Sequence, residues 1–247
     1  MKTRMVASTV SLLALTATGS AVAHPPTEGD FYFGAHYSMG SFEVDEDFTS
    51  EEQVNGDTIT LSLDSDFDVG LAIARLGYYI HPRIAIEGRF GFGISEGSTS
   101  DTYAFTVDQG LGLAPGETIQ ASGEIGLEVE IDTLLGGYLV GELIQHERLS
   151  VYAIGGLTRI EGDATASFEE TATGYDANGN VFASESVSEE ESESFDDISI
   201  SYGAGINVRL TDDLTLNAEW MKYQTNAEED DTEWDLEAYS IGLTRVF

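Results

Sequence analysis

From residue 30 onward, apolar positions alternate with small or polar ones in eight stretches, at about 30–42, 66–80, 84–96, 125–142, 149–161, 195–210, 214–226 and 235–247. The sixth is the cleanest. Ile198, Ile200, Tyr202, Ala204, Ile206, Val208 and Leu210 fall on one face, with Ser199, Ser201, Gly203, Gly205, Asn207 and Arg209 on the other. In the third, Ile84, Ile86, Gly88, Phe90, Phe92 and Ile94 alternate with Ala85, Glu87, Arg89, Gly91 and Gly93. In the seventh, Leu214, Leu216, Ala218 and Trp220 alternate with Thr215, Asn217 and Glu219. A period of two with one apolar face predicts β-strands, because successive side chains leave opposite sides of the backbone. No stretch after the N-terminus shows a helical period.

The connections alternate in length. Three are short: His81-Pro82-Arg83, about 143–148, and Thr211-Asp212-Asp213. Four are long or charged: about 43–65, 97–124, 162–194 and 227–234. Short turns at one end and long loops at the other fit a transmembrane β-barrel better than a soluble sandwich, whose connections show no strict alternation. An even strand number places both termini on the short-turn, periplasmic side. The stretches exceed the roughly 9–11 residues that cross the hydrocarbon, so strands are expected to continue above the membrane. In the third loop, Thr165–Thr171 and Val181–Val187 flank an Asn178-Gly179 turn signal, and Asp57–Leu63 in the first loop also reads as strand.

Charge changes the picture next. The 247 residues hold 10 Lys and Arg against 45 Asp and Glu, a formal net charge of -35. Nucleic-acid binding is excluded, because phosphate contacts need clustered basic residues. With no cysteine, disulfide frameworks, thiol nucleophiles and thiolate metal sites are excluded. The segments 43–66, 96–124, 161–197 and 226–237 carry 33 of the acids and neither Lys nor Arg. That distribution fits a solvated surface in a salty habitat or a cation-collecting face. Lys2 and Arg4, the apolar run through Leu12, Leu13 and Leu15, and Ala21-Val22-Ala23 read as a secretory signal peptide over residues 1–23, cut after Ala23. One domain, 24–247, follows.

The whole of residues 24–247 resembles the small OmpA-like, porin-family outer-membrane barrels of Gram-negative bacteria. The last strand, DLEAYSIGLTRVF, carries Tyr239, Ile241, Leu243 and terminal Phe247 in step; RLGYYIHPRIAIEGRFGFG looks like the second and third strands; LTLNAEW looks like the seventh. Arg245 stands where the family usually has an apolar residue, and should snorkel near the periplasmic interface. The resemblance implies an eight-stranded antiparallel barrel in the outer membrane, in contact with its lipid. It also implies that the final aromatic residue helps engage the barrel-assembly machinery.

The charged residues on inward faces are Arg75, Glu87, Arg89, Arg209 and Glu219. An eight-stranded barrel is only wide enough to be filled by side chains, so these should form a buried ion-pair network, with Glu219 on Arg209 or Arg89. Of the four histidines, His24 is terminal, and His81 and His146 lie in short turns; His36-Tyr37-Ser38 lacks an evident carboxylate and reads as an interface histidine. No enzyme is predicted. Asp176-Ala177-Asn178-Gly179-Asn180 imitates a calcium loop but has Val181 and Val187 at its sixth and twelfth positions, so a hairpin turn is preferred. No cofactor and no metal is expected. The chain reads as a monomeric structural and surface-interaction protein, with a narrow channel for small or cationic solutes as the alternative, and with inorganic cations as candidate partners of the loops.

Overall fold

The computed structural model describes residues 26–44, 48–54, 57–63, 66–108, 113–224 and 234–247. Residues 1–23, with the expected cleavage site at Ala21 and Ala23, lie outside the described residues, as does His24. So do parts of the first, second and fourth loops. The strands are β1 (Phe31–Val44), β2 (Phe48–Val54), β3 (Asp57–Leu63), β4 (Asp66–His81), β5 (Ile84–Ser95), β6 (Gly97–Val107), β7 (Thr118–Gln145), β8 (Leu149–Tyr175), β9 (Val181–Arg209), β10 (Leu214–Gln224) and β11 (Trp234–Val246).

Eight of them close a ring in the order β1-β4-β5-β7-β8-β9-β10-β11, all neighbours antiparallel. The seam is β1 on β11, in unbroken register from Tyr32 opposite Val246 to Val44 opposite Trp234. Closure leaves no backbone edge in the lipid, where an unmet N–H or C=O costs several kcal/mol. The two faces separate as period two requires. Phe33, Leu76, Ile86, Phe90, Leu135, Leu139, Leu157, Ile200 and Ile241 face outward and are more than half exposed. Their in-step neighbours on the other face are buried. These exposed positions form the lipid-facing belt.

The periplasmic turns are tied down locally. Leu214 N donates to Thr211 Oγ1, which donates to Asp213 Oδ1 at 2.7 Å. Arg245 Nε meets Asp213 Oδ2 at 2.9 Å, and its guanidinium lies 5.3 Å from the Phe247 ring centre. The Thr211 hydroxyl, and then Arg245, hold the Asp213 carboxyl below the usual carboxylate range. Arg245 thus points into the turn region and away from the acyl chains.

The connection at 97–124, expected as a loop, is largely strand. β6 pairs along β7 from Gly97 opposite Val129 to Val107 opposite Ile119. β8 and β9 stay paired as far as Tyr175 opposite Val181. A four-stranded sheet, β6-β7-β8-β9, therefore rises beyond the lipid belt. Above the bilayer water wets both faces, so apolar alternation weakens although the backbone ladder continues. At the tip of β8–β9, Asp176 carboxylate oxygens accept from Asn178 N at 2.8 Å, Asn180 N at 2.8 Å and Asn180 Nδ2 at 3.0 Å. Gly179 there has φ +83°, a left-handed value suited to glycine. These bonds, Asn180 foremost, hold the Asp176 carboxyl below its ordinary range. The segment is a hairpin turn.

Candidate functional site

The lumen is filled in two layers. In the middle, Arg75 of β4, Glu87 and Arg89 of β5 and Glu219 of β10 meet, all at most 5% exposed. Arg89 donates to both oxygens of Glu219, Nη1 to Oε1 at 2.5 Å and Nη2 to Oε2 at 2.8 Å, and its Nε donates to Glu87 Oε1 at 2.6 Å. Arg75 Nη1 stands 3.6 Å from Glu87 Oε2 and 3.8 Å from Glu219 Oε2. Two guanidinia and two carboxylates neutralise each other, as burial demands.

Three tyrosines that the strand pattern had not marked complete the cluster. Tyr32 donates its hydroxyl to Glu87 Oε2 at 2.5 Å and Tyr152 donates to Glu219 Oε2 at 2.7 Å. The Tyr138 ring lies under Arg89, 4.8 Å from its guanidinium carbon, and its hydroxyl bonds Thr158 Oγ1 at 2.5 Å. Inward glycines admit these rings. Gly77 lies opposite Tyr32, Gly156 opposite Tyr138 and Gly205 opposite Tyr152. A Cβ at Gly205 would sit 2.4 Å from the Tyr152 ring. In sequence, the clue to Tyr32 was its step with Gly34, His36 and Ser38 on the small-residue face of β1.

Arg209 does not join the cluster; of the two partners expected for Glu219, Arg209 or Arg89, it is Arg89 that pairs with it. Arg209 sits at the last position of β9, at the periplasmic mouth, where Nη1 donates to the Glu147 carbonyl at 3.1 Å. Too few residues separate it from the turn for its side chain to point back to mid-barrel. His36 also differs from expectation: it lies inside the barrel, 5% exposed, with Nδ1 3.4 Å from Ser240 Oγ. Tyr239, Ile241 and Phe247 face outward, at 65%, 55% and 70% exposure, and Leu243 shares their step.

Above the cluster, toward the projecting sheet, large apolar side chains dominate the lumen, with Ser38 on the inner face opposite Leu71 and Ser201 opposite Tyr223. Phe67, Val69, Leu71, Ile73, Ile131, Leu134, Ile160, Met221, Tyr223 and Leu236 form one packed group, each at most 4% exposed, with Leu127 and Phe195 against it. This stopper covers the charges from outside. Below the cluster, a cavity of about 310 Å³ opens to the periplasm between Asp30, Glu142, Arg148, Asn207, Arg209 and Asn217.

The projecting sheet has two unlike faces. Its outward side carries Ser98, Ser100, Glu128, Thr165, Ser167 and Glu190 around a shallow polar depression. Hydroxyl pairs cross from β8 to β9, Thr165 to Ser192 and Thr171 to Ser186, each at 3.1 Å. The Glu96 carboxylate beside Glu128 raises the Glu128 carboxyl above the ordinary value. The inner side stacks Tyr103 on Phe105 and Phe168, with ring centres 6.1 and 6.5 Å apart. Among the described residues no group of three or more His, Asp or Glu is placed to hold a metal ion.

Eight antiparallel strands closed edge to edge, an apolar outer belt and a packed interior define a transmembrane β-barrel. Within that class the chain belongs to the outer membrane protein beta-barrel domain family, whose model matches residues 10–247. Membership implies the outer membrane as its location. No curated protein sequence matches it. Among solved structures it is similar to Ail, the attachment invasion locus protein of Yersinia pestis (14% identity, 90% of this chain and 100% of that one, TM-score 0.41). It is also similar to the Neisserial surface protein NspA (10% identity, 88% and 99%, TM-score 0.44). A third is OprG of Pseudomonas aeruginosa (11% identity, 92% and 99%, TM-score 0.42). The outer membrane protease OmpT of Escherichia coli is also similar (9% identity, 94% and 100%, TM-score 0.38).

Proposed function

We propose that the protein is a non-enzymatic, non-conducting barrel that acts through the surface it presents outside the cell. The apolar stopper carries this reading. A solute crossing the lumen would have to displace Leu71, Leu134, Ile160 and Leu236, all fully buried, and would find no polar partner among them. An ion in such a constriction would lose its hydration without compensation. The polar outward side of β6–β9 is the surface it offers a partner.

On the same reading, residues 1–23 direct export and are removed after Ala23. The strand ending at Phe247 is the signal for the assembly machinery, through Tyr239, Ile241 and Leu243. The folded chain works as a monomer in lipid, with inorganic cations around its acidic face. Planar-bilayer recording of the refolded protein tests the closed lumen. The expected trace is silent at either polarity. Resolved unitary openings would overturn the proposal in favour of a narrow channel for small or cationic solutes.

A further inference from the structure

The periplasmic cavity ends a directed chain of hydrogen bonds. Arg75 donates to Thr244 Oγ1 from Nε at 3.1 Å and Nη2 at 2.5 Å. Thr244 donates to Asn217 Oδ1 at 2.6 Å, Asn217 Nδ2 donates to Asn207 Oδ1 at 2.5 Å, and Asn207 Nδ2 donates to Ser150 Oγ at 3.1 Å. Ser150 then donates to Glu142 Oε1 at 3.4 Å. Every donor points the same way, so Glu142 is the terminal acceptor of the chain. Its other oxygen, Oε2, is buried with no hydrogen-bond partner, in a side chain 9% exposed. A buried charged acceptor left without a donor is costly.

Two cations, Arg148 and Arg209, line the same cavity. Arg209 N donates to the Arg148 carbonyl at 2.9 Å, which holds the two residues side by side. Neither guanidinium forms an ion pair among the described residues. A lone cation in this cavity would meet Arg148 and Arg209; a lone anion would meet Glu142, Asp30 and Asp212, all in its wall. Only a molecule carrying both charges satisfies both kinds of residue. The volume, about 310 Å³, lies at the lower end of ligand pockets, which run from about 300 to 1,000 Å³.

We propose that this periplasm-facing vestibule binds a small zwitterionic solute of amino-acid size, its ammonium on Glu142 and its carboxylate on Arg148 and Arg209. The inference is independent of the stopper, since the site opens on one side only.

The test is an amide-resolved NMR titration of the refolded, full barrel in micelles with 4-aminobutyrate, and with butylammonium and butyrate as single-charge probes of equal chain length. Saturable shifts are expected at the amides of Glu142, Ser150, Arg209 and Thr215 with 4-aminobutyrate. Each single-charge probe should bind at least about ten-fold more weakly, the cost of one lost charge-assisted contact. E142Q should weaken 4-aminobutyrate about ten-fold while leaving butyrate unchanged. R148Q, in an exposed turn where folding is not at stake, should weaken butyrate and leave butylammonium unchanged. Non-saturating shifts would overturn the proposal. So would butylammonium binding as tightly as 4-aminobutyrate, or R148Q binding every probe as the parent does.

Discussion

Glu219 accepts three donors, two from Arg89 and one from Tyr152, at 2.5 to 2.8 Å in a fully packed lumen. Glu190 is an exposed acid on the projecting part of β9. Glu219→Ala leaves Arg89 with an uncompensated charge in a site that water does not reach. Breaking such a buried pair costs about 3–5 kcal/mol, whereas a surface substitution is usually within about 0.5 kcal/mol. The urea midpoint of Glu219→Ala is therefore expected to fall well below that of Glu190→Ala. Equal midpoints would contradict the assignment of inner and outer faces. Glu87, Arg89 and Glu219 were legible in the sequence because each stands on a small or polar face, and Arg75 because a charge turned toward lipid would be costly. Tyr32, Tyr138 and Tyr152 were not, because a tyrosine fits either the lumen or the membrane interface, and only the opposite glycine decides. Glu142 gave no signal at all, since its role depends on partners drawn from β8, β9, β10 and β11.

At the scale of strands, lipid makes the sequence readable. Where β1, β4, β5 and β7–β11 cross the bilayer, one face must be apolar, and all eight stretches stand out by period two. The upper halves of β7, β8 and β9, and all of β6, lie in water and lose that constraint, so their extent was only partly visible. The stopper was hidden for a different reason. On β4, Phe67, Val69, Leu71 and Ile73 turn inward while Ala72 and Ala74 face lipid, so the larger side chains mark the inner face, the reverse of the other strands. Inward glycines have a packing role that outward ones lack. A Cβ at Gly205 would collide with the Tyr152 ring, while at Gly137, outward on β7, it would meet nothing within 4 Å. Gly205→Val should destabilise the barrel by about 1–3 kcal/mol through overpacking, and Gly137→Val by far less. Thermal unfolding of the two variants in one detergent checks this; similar shifts would contradict the interlocking of glycine with tyrosine across β8 and β9.

Taken whole, the molecule is a sealed cylinder with different chemistry at its ends. Outside stands an acidic, hydroxyl-rich sheet; inside the envelope a mixed-charge vestibule opens. The upper parts of β8 and β9 carry Glu169, Glu185, Glu189, Glu190, Glu191 and Glu193, and exposed charges reach about 10 Å at 0.1 M salt and about 3 Å at 1 M. The roles of the two ends depend on which compartment each one faces. Because the chain has no cysteine, single thiols report position without background. Ser188 is exposed on the projecting part of β9, and Thr215 lines the vestibule. Labelling of intact cells with a maleimide too large to cross the outer membrane is the most direct test. Ser188→Cys is expected to react at once, and Thr215→Cys only after the outer membrane is breached. Reaction of Thr215→Cys on intact cells, or protection of Ser188→Cys until breach, would contradict the account.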